Sequence, residues 1–184
     1  MRISDWSSDV CSSDLDWKVD VFYMDFKNFF QWQPDANGRP LVRVNGGKFR
    51  NVGIEAEYGR RLSDRLKWNV SGSYSNPRQK ELNENYWKQA APKLQFTTGI
   101  RYESPTWEAG TSFSFVTKRL RNRDGGLNPN IALWNAYVGY HFNKDATLRL
   151  DARNLLDRHN VITNGDYEYW GDPFTYELSY TQKF

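Results

Sequence analysis

The chain has 184 residues, a formal net charge of +3 at pH 7, 16% aromatic residues, one cysteine and two histidines. Its mean hydropathy is -0.82 and no run of about eighteen apolar residues occurs, which excludes transmembrane helices. Acidic and basic residues are mixed along the chain, so nothing indicates nucleic-acid binding.

The first fifteen residues differ from the rest. They read MRISDWSSDVCSSDL and contain no apolar segment like that of a signal peptide. Residues 5–15, DWSSDVCSSDL, match the peptide that a common short-read sequencing adapter encodes when translated. We therefore expect residues 1–15 to be a non-native leader, and the coding region to be truncated upstream. No redox or metal argument then rests on Cys11, and residues 16–184 are expected to carry the fold.

From Asp16 onward, apolar and polar side chains alternate with a period close to two, which is typical of β-strands. The pattern predicts an all-β chain of eight antiparallel strands, each about as long as the 9–11 residues that cross a bilayer. In chain order, the predicted strands begin near Trp17, Leu41, Leu66, Leu94, Trp107, Trp134, Leu148 and Tyr176.

The connections between these strands alternate in length. Residues 63–65, 104–106 and 143–145 are tight turns, whereas residues 33–40, 76–91, 120–129 and 157–173 are long and polar. A transmembrane barrel with short periplasmic turns and longer extracellular loops shows this asymmetry, and a soluble β-sandwich has no reason to keep it.

Aromatic residues on the apolar face also favour a membrane barrel. They cluster near both ends of the strands, as in the aromatic girdles at membrane interfaces. The group near the short turns is Trp17, Tyr58, Trp68, Tyr102, Trp107, Tyr140, Phe142 and Phe184; the group near the long loops is Tyr74, Phe115, Trp134 and Tyr176. A sandwich core would instead gather its aromatics centrally.

Several motifs resemble those of the TonB-dependent receptors. The segment NLLDR (residues 154–158) resembles the end of that family's penultimate strand. The segment GDPF (171–174) resembles its entry to the last strand, with Phe174 where the family has Arg. NVGIE (51–55) and Ala91-Pro92 resemble further strand entries. The terminal ELSYTQKF (177–184) resembles the signal read by the outer-membrane assembly machinery, which implies that role for Tyr176, Leu178, Tyr180 and Phe184.

This resemblance implies a Gram-negative outer-membrane receptor whose 22-stranded barrel encloses an N-terminal plug domain. The chain would supply the last eight strands, as an open, curved sheet. Its partners would be membrane lipid and lipopolysaccharide, the plug, TonB through the plug, the assembly machinery and a scarce nutrient such as a ferric siderophore. No cofactor is expected.

The polar face is expected to line the lumen and meet the plug. Its charged members are Glu55, Glu57, Lys67, Arg101, Glu103, Glu108, Arg149, Asp151, Arg153, Glu177 and Lys183. For any one of them, a solvated wall position without a binding role is the simpler interpretation.

The long loops offer candidate ligand-binding residues. Lys118, Arg119, Arg121 and Arg123 form a basic cluster suited to an anionic ligand or to lipopolysaccharide phosphate. The loop aromatics that could stack on a planar ligand are Tyr86, Trp87, Tyr167, Tyr169 and Trp170. Ordinary loop packing remains the alternative.

No catalytic or metal motif is present: His141 and His159 are far apart in sequence, and no P-loop or His-rich segment occurs. We therefore do not expect an enzyme, although outer-membrane esterases and proteases built on barrels keep that reading open. Two other readings also stay open. Eight strands suffice to close a small OmpA-like barrel with a structural or adhesion role. A soluble β-protein is the second.

Overall fold

The computed structural model consists of β-strands. It describes residues 2–11, 15–33, 42–117, 119–120, 126–162 and 169–183. In chain order the strands are β1 (Arg2–Cys11), β2 (Leu15–Gln33), β3 (Val42–Ser63), β4 (Leu66–Ser75), β5 (Arg78–Lys80), β6 (Lys88–Gln89), β7 (Leu94–Glu103), β8 (Trp107–Val116), β9 (Arg119–Leu120), β10 (Leu127–Asn128), β11 (Ile131–His141), β12 (Ala146–Arg153) and β13 (Thr175–Gln182). The described residues contain no helical segment with the length and hydrophobicity that a membrane span requires.

The long strands form one antiparallel sheet in which neighbours in the sequence are neighbours in space. The order is β1-β2-β3-β4-β7-β8-β11-β12-β13, with β5 and β6 attached beside β3, while β9 and β10 form a separate pair. Eight of the nine long strands, β2 to β13 along this path, confirm the eight predicted from the alternation.

The sheet is open. Within the described residues, β13 pairs only with β12 and β1 pairs only with β2. The structure therefore confirms the expected open sheet and does not show the closed eight-stranded barrel that we kept as an alternative. Closure of eight strands would require hydrogen bonds between the first and last strands.

Strand β1 extends the sheet further than predicted. It pairs with β2 from Arg2 opposite Asp25 to Cys11 opposite Asp16. This segment belongs to residues 1–15, which we expect to be a non-native leader outside the fold. Backbone groups at an open sheet edge pair with any extended segment, so pairing does not depend on the side-chain pattern. The non-native origin of residues 1–15 stays a prediction.

The connections have the predicted asymmetry where the structure describes them. In the turn between β11 and β12, Asn143 Oδ1 accepts hydrogen bonds from the backbone amides of Asp145 (2.9 Å) and Ala146 (3.0 Å). Between β7 and β8, the Ser104 amide donates to the Trp107 carbonyl at 2.8 Å. The predicted loop at residues 33–40 lies almost wholly outside the described residues. We call the two ends of the sheet the short-turn end and the long-loop end.

The sheet has two chemically different faces and almost no core. In the described ranges, the buried apolar side chains are the small ones of Pro77, Ala132, Ala146 and Val161. Large apolar residues of the predicted apolar face are exposed instead: Val52 47%, Ile54 44%, Ile100 43%, Trp134 43%, Val138 40% and Leu150 41%. A sandwich would bury this face against a second sheet. The structure therefore excludes the sandwich for the described part of the chain.

Candidate functional site

The polar face carries a network of ion pairs centred on Arg149 of β12. The Arg149 guanidinium donates from Nε to Asp151 Oδ2 at 2.8 Å and from Nη2 to Asp151 Oδ1 at 2.9 Å. Its Nη1 donates to Glu108 Oε1, two strands away on β8, at 3.0 Å. Paired donors meeting both oxygens of a carboxylate fix the orientation of the guanidinium as well as its position.

Two glycines make this long reach possible. Gly139 of β11 lies directly opposite both Glu108 and Arg149. A Cβ at Gly139 would lie 2.7 Å from Glu108 Cγ, so only glycine leaves room for the Glu108 side chain. Gly110 plays the same part opposite Tyr137, whose ring fills the space that a side chain at Gly110 would occupy.

The network includes two residues that the sequence analysis did not select. The Tyr137 ring lies under the Arg149 guanidinium, with 3.8 Å between Cζ and the ring centre. His141 approaches Glu108, with 3.9 Å between Nε2 and Oε2, while its Nδ1 is 2.9 Å from Thr147 Oγ1. Both could have been selected from the sequence, because Tyr137, Gly139 and His141 occupy alternate positions on the polar face of β11.

The other predicted polar-face charges lie on the expected face but outside this network. Arg101 pairs with Glu103 on the same strand, and Arg153 approaches Glu177 with 3.6 Å between Nη2 and Oε2. Glu55 and Glu57 line a shallow trough of about 240 Å³ together with Ser71, Ser73, Gln95 and Thr97. Lumen and plug contact for all of them stays a prediction.

The candidate loop residues do not form one group. Arg119 donates from Nη1 to the Ile162 carbonyl at 2.8 Å and from Nη2 to the Val161 carbonyl, and burial lowers the pKa of its guanidinium. It therefore ties two loops together. Arg121, Arg123, Lys118 and Tyr167 lie outside the described residues.

The loop aromatics contact different partners. The Trp87 ring lies 5.2 Å from Arg50 Cζ, whereas Trp170 packs edge-on against His159 at 5.6 Å. Tyr86 and Tyr169 are both 60% exposed. Lys88 contacts Tyr86 and pairs with Glu81 and Glu84; its hydrogen bond with Glu84 raises the pKa of Lys88.

The loop between β12 and β13 is held by asparagines. Asn160 is 4% exposed, and its side chain pairs with both the amide and the carbonyl of Ala132 at 3.2 Å. Asn154 Nδ2 donates to the carbonyls of Arg158 and Asp172, each at 3.0 Å. The φ angles of Asn154 (52°) and Asp157 (47°) are left-handed, which Asn and Asp tolerate better than most residues. This explains the Asn and Asp of the NLLDR motif.

The expected assembly-signal residues lie on the last strand. Tyr176, Leu178 and Tyr180 share the apolar face of β13 and are 74%, 65% and 60% exposed. Phe184 lies outside the described residues. In the described ranges, no group of three or more His, Cys, Asp or Glu side chains is arranged to hold a metal ion.

Solved structures of larger proteins share this sheet. The crystal structure of the ferric citrate transporter FecA in the unliganded form has a TM-score of 0.82 and 21% identity, covering 98% of this chain and 31% of that chain. The FrpB iron transporter from Neisseria meningitidis gives 0.80 and 16%, covering 99% and 31%. The copper transporter OprC gives 0.75 and 17%, covering 98% and 31%. The chain thus spans about a third of their length.

A search of curated protein sequences gave no match. A family model described as TonB dependent receptor-like, beta-barrel matches residues 5–155. The structures named above are those of transporters. Because the family match covers most of the chain, we conclude that this chain belongs to the TonB-dependent receptor β-barrel family.

Proposed function

We propose that this chain is the C-terminal barrel part of an outer-membrane receptor that imports a scarce nutrient with energy supplied through TonB. The observation that carries the proposal is the single-layer sheet, with bare apolar side chains on one face and an ion-pair network on the other. An apolar surface of this extent in water would drive aggregation, whereas hydrocarbon satisfies it.

The polar face then lines a water-filled lumen. Charged side chains are tolerated there because they pair with one another, as Arg149 does with Asp151 and Glu108. They also offer hydrogen-bonding groups to a plug domain. On the lipid face, an Arg or Lys near mid-depth would cost about 2–4 kcal/mol.

An iron chelate is the nutrient that the comparisons favour. Similar structures are those of a ferric citrate transporter, a ferric-catecholate import receptor and a siderophore receptor, although one is a copper transporter. We assign ligand contact to the exposed aromatics Tyr86, Tyr169 and Trp170 and to the basic residues Arg121 and Arg123. Arg119 would act by holding the loops in place.

The test is uptake of radiolabelled ferric siderophore by cells that express the complete receptor as their sole transporter for it. We expect uptake that is lost when TonB is deleted. Uptake that persists without TonB, or is the same without the receptor, would contradict the proposal. Replacing Arg121 and Arg123 by Gln tests the ligand contact, with R65Q/K144Q in the short turns as the control of equal charge.

A further inference from the structure

Three lysines lie side by side across neighbouring strands at the long-loop end. Lys27 of β2 is directly opposite Lys48 of β3, and Lys48 is directly opposite Lys80 of β5. Directly opposite residues of antiparallel strands share a face, with Cβ atoms about 5 Å apart. Like charges at this spacing repel each other and destabilise the sheet. A bound anion would relieve this repulsion.

A second row of cations adjoins the first. Arg50 of β3 is directly opposite Arg78 of β5 and, on its other side, directly opposite Asp25 of β2. Arg50 Nε lies 3.8 Å from Asp25 Oδ2, and Arg78 Nε donates to Asn76 Oδ1 at 3.0 Å. Within these two rows, as far as the structure describes the chain, five cations thus accompany one carboxylate, that of Asp25. We call Lys27, Lys48, Arg50, Arg78 and Lys80 the outer basic surface.

The nearby carboxylates do not neutralise it. Glu81 and Glu84 pair with Lys88 of β6. Lys88 is directly opposite Gln79, so it lies on the face of the sheet that Arg78 and Lys80 do not share. In the part of the chain that the structure describes, none of the three lysines of the outer basic surface forms an ion pair. Lys27 and Lys48 are both exposed, so an anion can approach them from the solvent on their side of the sheet.

The position of this surface identifies the anion. Arg50 follows the same face of β3 as Val52 and Ile54, so the cations continue the exposed apolar face beyond its end. At about 3.3 Å per residue, Arg50 and Lys48 lie about 7 Å and 13 Å past Val52. Transmembrane strands are tilted by about 45°, so these positions are about 5 Å and 9 Å beyond Val52 along the membrane normal, within a headgroup layer and just outside it. Trp87, stacked on Arg50, adds a ring of the kind enriched at membrane interfaces.

We propose that the outer basic surface binds the phosphate groups of glycolipids in the outer leaflet of the surrounding membrane. The proposal rests on the proposed function, because it requires the apolar face to lie in lipid. An imported ligand would meet the polar face instead, and the cations point away from it. Phosphate oxygens accept hydrogen bonds from both ammonium and guanidinium groups and remove the repulsion within each row.

The test measures binding of purified lipid A, with and without its phosphates, to the receptor in neutral detergent micelles, by native mass spectrometry. We expect the K27Q/K48Q/K80Q variant to bind phosphorylated lipid A on the order of 100-fold more weakly, since each surface cation contributes about fivefold. The control K67Q/R101Q/R153Q, which removes the same number of charges from the polar face, should bind like wild type. The K27R/K48R/K80R variant should keep binding, and salt should weaken it.

Undiminished binding of phosphorylated lipid A by K27Q/K48Q/K80Q would overturn the proposal, and so would equal binding of the dephosphorylated lipid by wild type. A far-ultraviolet circular dichroism spectrum with unchanged β content shows that the variant is folded. Insertion into neutral lipid vesicles separates the two proposals. Failure to insert counts against the membrane function as a whole, whereas insertion without phosphate preference counts against the glycolipid site alone.

Discussion

The guanidinium of Arg149 stacks on the ring of Tyr137, with 3.8 Å between Cζ and the ring centre. The stacking and the two carboxylates hold the guanidinium from three sides. The polar face is therefore preorganised in this region, because Arg149 cannot turn without giving up several charge-assisted contacts.

Replacing Arg149 by Met should destabilise the barrel by about 1–2 kcal/mol, since Glu108 and Asp151 lose their shared partner. The value stays modest because the Arg149 side chain is 35% exposed and water replaces part of the interaction. Urea unfolding in lipid vesicles measures it. R153M, which breaks a pair exposed by more than half, should change stability by less than about 0.5 kcal/mol. Equal effects of the two changes would contradict the network.

Two glycines of β3 should respond differently to alanine. A Cβ at Gly53 would lie 2.6 Å from Phe22 Cζ and 2.8 Å from the Tyr74 carbonyl oxygen, whereas at Gly59 the nearest atom is 3.9 Å away. G53A should cost about 1–3 kcal/mol, because the backbone has to shift. G59A should be neutral or slightly stabilising. Unfolding curves of both variants, recorded in one lipid, give the comparison. An unchanged free energy of unfolding for G53A would contradict the prediction.

Neighbouring positions of β4 test which face meets lipid. Val70 is directly opposite Tyr58 on the apolar face, and Ser71 is directly opposite Glu57 on the polar face. V70R should reduce assembly into the outer membrane, at a cost of about 2–4 kcal/mol, while S71R should be tolerated. The amount of heat-modifiable, folded receptor in membrane fractions reports the difference. Equal amounts from both variants would show that the faces are assigned wrongly.

Asn160 should control the order of the last long loop. N160A leaves the buried amide and carbonyl of Ala132 without their partner, at a cost of about 1–3 kcal/mol. We expect faster proteolytic cleavage between residues 155 and 174 with little change in the global unfolding midpoint. I162A removes a half-exposed side chain of the same loop and is the control. Cleavage of N160A at the wild-type rate would mean that other contacts hold the loop.

Local alternation was enough to predict the eight long strands and their two faces, because each strand shows the period of two within its own sequence. The roles of Gly110 and Gly139 were not predictable, since they depend on which residue stands opposite on the next strand. The same is true of the lysine rows at Lys27, Lys48 and Lys80. Alternation fixes the face of a residue but not its cross-strand partner.

Arg119 illustrates a second reason why the candidate site could be predicted only in part from the sequence. Its residue type and its basic neighbours suggested ligand binding, yet its guanidinium donates to the carbonyls of Val161 and Ile162. Those acceptors are more than forty positions away in the sequence and belong to backbone groups, which no residue pattern marks. Strand β1 lies outside the predicted fold on different grounds, because residues 1–15 resemble a translated adapter; its pairing with β2 uses the backbone and requires no particular side chains.

The hairpin of β2 and β3 changes register at Asn28, where φ is 59°, and changes back one step further on, between Phe29 and Phe30. At the first shift β2 has one extra residue, and at the second β3 has one extra residue, so the two strands return to their original register. Elsewhere, adding a single residue to a strand would turn every side chain beyond it to the opposite solvent. We therefore expect homologous proteins to differ in length in their loops, or by two residues within a strand. Insertions of a single residue within a strand should be selected against.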